Sequence, residues 1–233
     1  MNWNEKVFAY CERGSDPGFW AEPLNAVSNA AFIIAAVLAL NDWRRSRREA
    51  MELLLIITVF LIGIGSFLFH TVATKWARFG DVAPIGVFML GYLVFALRRF
   101  IELNWPGAAV AIFCFLAAGA IAGSMRCYEG ACFNGSLGYV PALVAMILVA
   151  VVAGRRQHPS MRAMGMAAAI FALSLVFRSI DMAACPATLI QPGWRTGTHA
   201  LWHLLNAVVL YLLLVAASRH GAATESQEMV IRN

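Results

Sequence analysis

Met51–His70, MELLLIITVFLIGIGSFLFH, carries one carboxylate near its start and no further formal charge up to a closing histidine. A helix rises 1.5 Å per residue, so a run of this length reaches about 30 Å, the thickness of a bilayer's hydrocarbon core. It is therefore read as a membrane span that delivers Ser66 and His70 to one of its ends. Comparable runs lie at about 23–41, 82–100, 106–124, 138–154, 162–183 and 197–218. The predicted fold is all-α, a bundle of seven transmembrane helices. Composition agrees: 61% of the 233 residues are hydrophobic, 13% are charged, and the mean hydropathy is +0.69, far more apolar than a soluble domain requires. No internal repeat, low-complexity tract or linker divides the chain. A single domain is expected over residues 1–220, followed by a disordered cytoplasmic tail over 221–233. The opening stretch mixes Asn2, Glu5, Lys6, Glu12, Arg13 and Asp16 and lacks the basic-then-apolar layout of a cleavable signal, so the first span is expected to direct insertion.

The isoelectric point near 9.2 does not indicate nucleic-acid binding, because the cations sit in short clusters between apolar runs. Placing alternate connections on opposite sides puts Arg44, Arg45, Arg47, Arg48, Arg98, Arg99, Arg155, Arg156, Arg162, Arg219 and Arg232 on one face and Lys6, Arg13, Lys75, Arg78, Arg126 and Arg195 on the other. The positive-inside rule then places the N-terminus outside and the C-terminus in the cytoplasm. Four of the five cysteines, Cys11, Cys127, Cys132 and Cys185, fall in outer segments, and Cys114 lies within a span. An even set on the oxidising side suits disulfides. Three pairings exist, of which Cys11 with Cys185 and Cys127 with Cys132 is preferred; four reduced thiols are the alternative.

His158 and His220 sit in cytoplasmic segments and need no explanation beyond solvation. His199 and His203, four apart, share one helical face and can grip one metal ion. His70 closes a span that runs outward, and His199 opens one that runs inward, so three imidazoles can converge at the outer level. Ser66 lies one turn before His70, Asn206 continues the His199 and His203 face, and Asp81 opens the third span from the same side. Taken alone, Asp81 would be an N-cap. Several polar groups at one membrane depth argue for a site instead, since each is unfavourable there unless paired or used. Three neutral histidines with an open fourth position are the catalytic form of zinc. Asp81 would handle the proton of an activated water and Ser66 would support the developing oxyanion. Asn25 and Asn29 read as hydrogen-bonding glue between helices. Arg178 and Asp181, three apart, read as a structural ion pair.

These blocks resemble the alkaline ceramidases, within a superfamily of seven-helix hydrolases that includes the adiponectin-receptor-like proteins. The first is Tyr10, Cys11 and Glu12 with Trp20–Asn29 (WAEPLNAVSN). The second is Gly65–His70 (GSFLFH) with Asp81 eleven residues on and Pro84 after it. The third and fourth are Ile180 and Asp181 with Cys185, and His199–His203 (HALWH). The resemblance implies a zinc-dependent amidase that cleaves ceramide, or a related N-acyl lipid, into a sphingoid base and a fatty acid. It implies His70, His199 and His203 as ligands, Ser66 and Asp81 as catalytic residues, a Cys11–Cys185 disulfide, and a lipid substrate entering from the bilayer.

Eukaryotic members of that family hold calcium around the first motif. Here Glu12 and Glu22 match, but Ala9 and Gly14 stand where oxygen donors are expected. Calcium favours six to eight oxygens, so the site is expected to be lost, or rebuilt from Ser15, Asp16 and backbone carbonyls. The compact loops point to a bacterial inner membrane with the site facing the periplasm; an endoplasmic reticulum or Golgi lumen would satisfy the same charge pattern. The competing function is a receptor-like or binding seven-helix protein with a structural zinc. A third reading is a bis-histidine haem carrier; against it, His199 and His203, one turn apart on the same helix, cannot ligate opposite faces of one haem.

Overall fold

In the computed structural model, which describes residues 2–45, 49–127, 130–191 and 193–221, seven helical spans are long and apolar enough to cross a membrane. The first consists of α1 (Pro23–Ser28) and α2 (Ala30–Arg44), which meet at Asn29. Then come α3 (Ala50–Val72), α4 (Lys75–Arg99), α5 (Trp105–Ser124), a 3-10 turn (Cys132–Tyr139) leading into α6 (Val140–Arg155), α7 (Ser160–Ala184) and α8 (His199–His220). The all-α seven-span architecture expected from hydropathy is present. The expected tail, apart from Gly221, lies outside the described residues, as do Arg47, Arg48 and Arg232.

The bundle is organised around α8, which packs against α2, α3 and α7, while α3 runs along α4. Phe32, Val59, Ile62, Phe88, Phe171, Trp202 and Leu213 fill the space between them. By contrast α5 buries only Ala108 and turns Val110, Phe113, Leu116 and Ile121 outward. Water would not tolerate such a surface on a monomer; hydrocarbon chains solvate it.

One boundary moves the site. The third span begins at Lys75, not near residue 82, because Thr74 caps it by accepting from the Ala77 amide at 3.4 Å. Lys75, Arg78 and Asp81 depress the hydropathy of its first two turns. Asp81 is therefore no N-cap but a buried residue inside α4. Pro84, also inside α4, has no N–H to offer the carbonyl of Gly80 four residues back. That carbonyl lies against Gly65 of α3, where an added Cβ would sit 2.1 Å from the oxygen. The missing side chain at Gly65 lets the two helices touch, and Ser66 and Asp81, the next residues along, line one cavity.

The segment before α1 covers the end of the bundle where α3 finishes and α8 starts. Its backbone bonds Val7 to Ala73 at 2.8 Å and Glu5 to Lys75 at 3.1 Å. Cys11 is bonded to Cys185 and Cys127 to Cys132, the preferred pairing, and Cys114 is free. Two short antiparallel ribbons trim the same end: β1 (Arg126–Cys127) with β2 (Gly130–Ala131), and β3 (Leu189–Gln191) with β4 (Trp194–Arg195).

Candidate metal centre

The last full turn of α3 and the first two turns of α8 bring His70, His199 and His203 together. Their ring centroids lie 5.2 Å (His70 to His199), 4.8 Å (His70 to His203) and 4.6 Å (His199 to His203) apart. One ligand atom from each falls within 4.8 Å of the others, and all three side chains are buried. Among the described residues this is the group able to hold a metal ion. The start of α8 is fixed by Asp181, whose Oδ1 accepts from the amides of Thr198 (2.7 Å) and His199 (3.0 Å) and whose Oδ2 accepts from the Cys11 amide (2.9 Å). The expected Arg178–Asp181 ion pair is therefore not formed. A helix N-terminus offers a carboxylate several unpaired N–H groups and the positive end of the dipole, and Asp181 takes these instead.

The outer nitrogens of two histidines are tied down. His70 Nδ1 meets Glu22 Oε2 at 2.5 Å, and His203 Nδ1 meets Ser28 Oγ at 2.8 Å. Each ring thus keeps Nε2 for the centre of the triad, the arrangement by which a carboxylate or hydroxyl orients a metal-ligating imidazole. His70 Nε2 and His199 Nδ1 are buried with no hydrogen-bond partner. Orphaned nitrogens of this kind are unfavourable unless something coordinates them, and three neutral imidazoles suit zinc. The donor set fits the metal.

Beside the triad opens a cavity of about 560 Å³. Ser66, Asp81, His199 and His203 line it, together with Tyr10, Tyr139, Trp202 and Arg178. Through Phe32, Ile62, Tyr139 and Trp202 it shares walls with a second, almost wholly apolar pocket deeper in the bundle, bounded by Phe88, Phe115, Met146 and Phe171. The Tyr10 ring stacks on His199 at 3.7 Å between centroids. Burial pushes the Tyr10 phenol up to about 12, against the opposing pull of Arg178, so it remains a neutral hydroxyl. Asn206, expected to extend the site face, instead donates to Ser174 Oγ (3.2 Å) and to the Trp202 carbonyl (2.8 Å).

The first motif is occupied from within. Arg13 donates from Nε to Glu22 Oε1 (2.5 Å), from one terminal nitrogen to the carbonyls of Asp16 and Gly18 (3.1 and 2.8 Å), and from the other to those of His70 and Thr71 (2.8 and 3.4 Å). The backbone carbonyls that might have rebuilt a calcium site converge on this guanidinium. Burial alone would raise the Glu22 carboxyl, but the bonds from His70, Arg13 and Asn25 outweigh it and hold the group below the usual carboxylate range. Glu12 accepts from the Leu24 and Asn25 amides, both at 2.8 Å, and caps α1; burial still raises its carboxyl. Glu12 and Glu22, expected as the remnant of a calcium site, are thus both engaged. Sequence reasoning gave Arg13, Ser28, Tyr10 and Arg178 no role at the triad. Tyr10 and Ser28 did lie within the first block, and Arg178 stood out as a cation inside an apolar run, whereas Arg13 carried no signal.

The chain matches the Ceramidase family over residues 7–231. A search of curated proteins found none that matches. Because the family match spans nearly the whole chain, including every block described above, the chain belongs to the ceramidase family.

Proposed function

We propose that this chain is a zinc-dependent integral-membrane amidase that hydrolyses the N-acyl bond of ceramide or a related N-acyl lipid. Family membership implies a ceramide-hydrolysing membrane enzyme, and the histidine triad can hold a metal. The observation that carries the finer reading is the pair of orphaned nitrogens, His70 Nε2 and His199 Nδ1, in a triad whose His199 and His203 line a cavity together with Ser66 and Asp81. A zinc ion held by His70, His199 and His203 would supply a Lewis acid and bring the pKa of a water molecule towards about 7.

The chain's own groups do the rest. Asp81, in the same cavity wall as Ser66, accepts the proton released from the attacking water and returns it to the departing nitrogen. Ser66 Oγ–H orients Asp81 or turns to the oxygen that gains charge as the carbonyl carbon becomes tetrahedral. Glu22 and Ser28 keep the His70 and His203 rings in register. The carbon–nitrogen bond breaks, water adds OH to the acyl carbon and H to nitrogen, and a fatty acid and an amine leave. The apolar pocket accepts the acyl chain, with the lipid arriving laterally from the bilayer. The end of the bundle that carries the triad also carries both disulfides, which supports an outward site: periplasmic in a bacterial inner membrane, or luminal in the endoplasmic reticulum or Golgi.

The test is fatty-acid release from a panel of N-acyl lipids by purified wild type, His203→Ala and Asp81→Ala. The variants should lose about 10²–10⁴-fold in turnover. Equal turnover by all three, or none by the wild type across the panel while it retains stoichiometric zinc, would contradict the amidase reading; the second outcome is what a receptor-like protein with structural zinc would give.

A further inference from the structure

The charged side chains lining the cavity beside the triad, the histidines aside, are Arg78, Asp81, Arg126 and Arg178. Three guanidiniums face one carboxylate, in a wall that also holds Ser66. Any divalent ion on the histidines would deepen the imbalance. Ceramide itself has no formal charge and nothing to answer these cations.

Arg178 stands closest to the chemistry. Its Nη1 donates to Tyr10 Oη at 3.0 Å, and Tyr10 in turn stacks on His199. The guanidinium carbon lies 5.2 Å from the Tyr139 ring centroid and 5.3 Å from that of Trp202, so aromatic faces hold the cation in place without using up its donors. Its Nε is buried and has no partner. The acid nearest in sequence, Asp181, is committed to backbone amides of Cys11, Thr198 and His199, and among the described residues Arg178 makes no salt bridge. A half-buried cation in the wall of a cavity inside a membrane bundle is ordinarily matched by an opposite charge or used on a ligand, and a planar fork with spare N–H groups is shaped for a carboxylate or phosphate. Arg78 and Arg126, both exposed, stand where they can draw such a group in.

Resting on the amidase reading above, we propose that the preferred substrate carries an anionic group, a carboxylate or a phosphate, on its amine half close to the amide nitrogen, and that Arg178 binds it. The acyl half has no such group, and its chain has the apolar pocket. In an N-acyl amino acid the carboxylate sits two bonds from the amide nitrogen, within a few ångströms of the bond that breaks, which matches a guanidinium separated from His199 by one aromatic ring.

Two matched pairs test this: N-palmitoylserine against its neutral carboxamide, and ceramide 1-phosphate against ceramide. In the wild type the anionic member of at least one pair should exceed its neutral partner by about tenfold or more in kcat/KM, and which pair does so distinguishes carboxylate from phosphate. Arg178→Met should bring that ratio to about one, the anionic member losing about tenfold more than the neutral one; Arg178→Lys should retain part of the preference. A wild type that favours the neutral member in both pairs, or an Arg178→Met enzyme that loses both members equally, would overturn the proposal. A second readout needs no turnover. N-hexadecylsulfonylglycine cannot be hydrolysed at carbon, and it should bind the wild type about tenfold tighter than its glycinamide counterpart, with the difference lost in Arg178→Met. Ceramide hydrolysis without anion preference in either readout defeats this inference alone; anion preference in binding without hydrolysis of any lipid defeats the amidase reading alone.

Discussion

Arg13, buried, and Arg178, half-buried in the cavity wall, stand at the end of the bundle that carries the histidines, yet their surroundings differ completely. Every N–H of Arg13 meets a protein oxygen: a carboxylate of Glu22 and the carbonyls of Asp16, Gly18, His70 and Thr71. Arg178 has one hydrogen bond to Tyr10, three aromatic faces, and a buried Nε with nothing to donate to. A cation saturated by its own chain stitches loops and helix ends together. A cation left unsaturated in the wall of a cavity is positioned for something that arrives. By this criterion the loop held by Arg13 is scaffold, and the cavity wall that carries Arg178 and Tyr10 is the candidate site. Changes in the first should therefore show as lost stability, and changes in the second as lost turnover or selectivity.

The sharpest break of that contrast is Asp81→Asn in the cavity wall. It keeps the side chain's shape, so thermal stability in detergent should move little, while amide hydrolysis falls about 10³-fold. A stability loss without a turnover loss would move Asp81 to the scaffold. In the opposite region, Arg13→Gln leaves the buried Glu22 carboxylate unpaired and four carbonyls short of donors, a destabilisation of roughly 3–5 kcal/mol. Arg13→Lys should recover little, because an ammonium has three donors and no fork. Next, Cys11→Ser with Cys185→Ser opens a link across 174 residues and should cost roughly 2–5 kcal/mol, read as a lower melting temperature with kcat nearly unchanged. Smallest in stability but informative for its double effect is Gly65→Ala. A methyl 2.1 Å from the Gly80 carbonyl forces α3 and α4 apart at about 1–3 kcal/mol. Because Ser66 and Asp81 flank that contact, turnover should fall as well, and a purely structural loss would contradict the link drawn between the contact and the site.

Much of this was legible in the sequence. Seven apolar runs gave seven spans, and three histidines at matching depth proved to be the group able to hold a metal ion. What escaped was settled by tertiary partners. The start of α4 was missed because Lys75, Arg78 and Asp81 look like a loop to hydropathy, whereas Thr74 caps a helix there whose first turns are covered by the N-terminal segment. The Arg178–Asp181 pair was inferred from spacing on one helix, but Asp181 found the unpaired amides at the start of α8 and Arg178 found Tyr10 from the opposite end of the chain. Arg13 gave no signal at all, since four of its five partners are backbone carbonyls, which no side-chain pattern reveals. Glu22 was noticed for a different reason, as a remnant of a calcium site, when its oxygens in fact meet Arg13 and His70.

The central claim is that the triad holds a catalytic zinc. Its most direct test is the zinc content of the purified protein measured on the same preparations as amide hydrolysis, for the wild type, for His203→Ala, and for the wild type stripped with a chelator and reloaded. The account predicts about one zinc per chain in the wild type, much less in the variant, and hydrolysis that falls with the metal and returns on reloading. Turnover that persists in stripped protein, or zinc that is fully retained by His203→Ala, would contradict it.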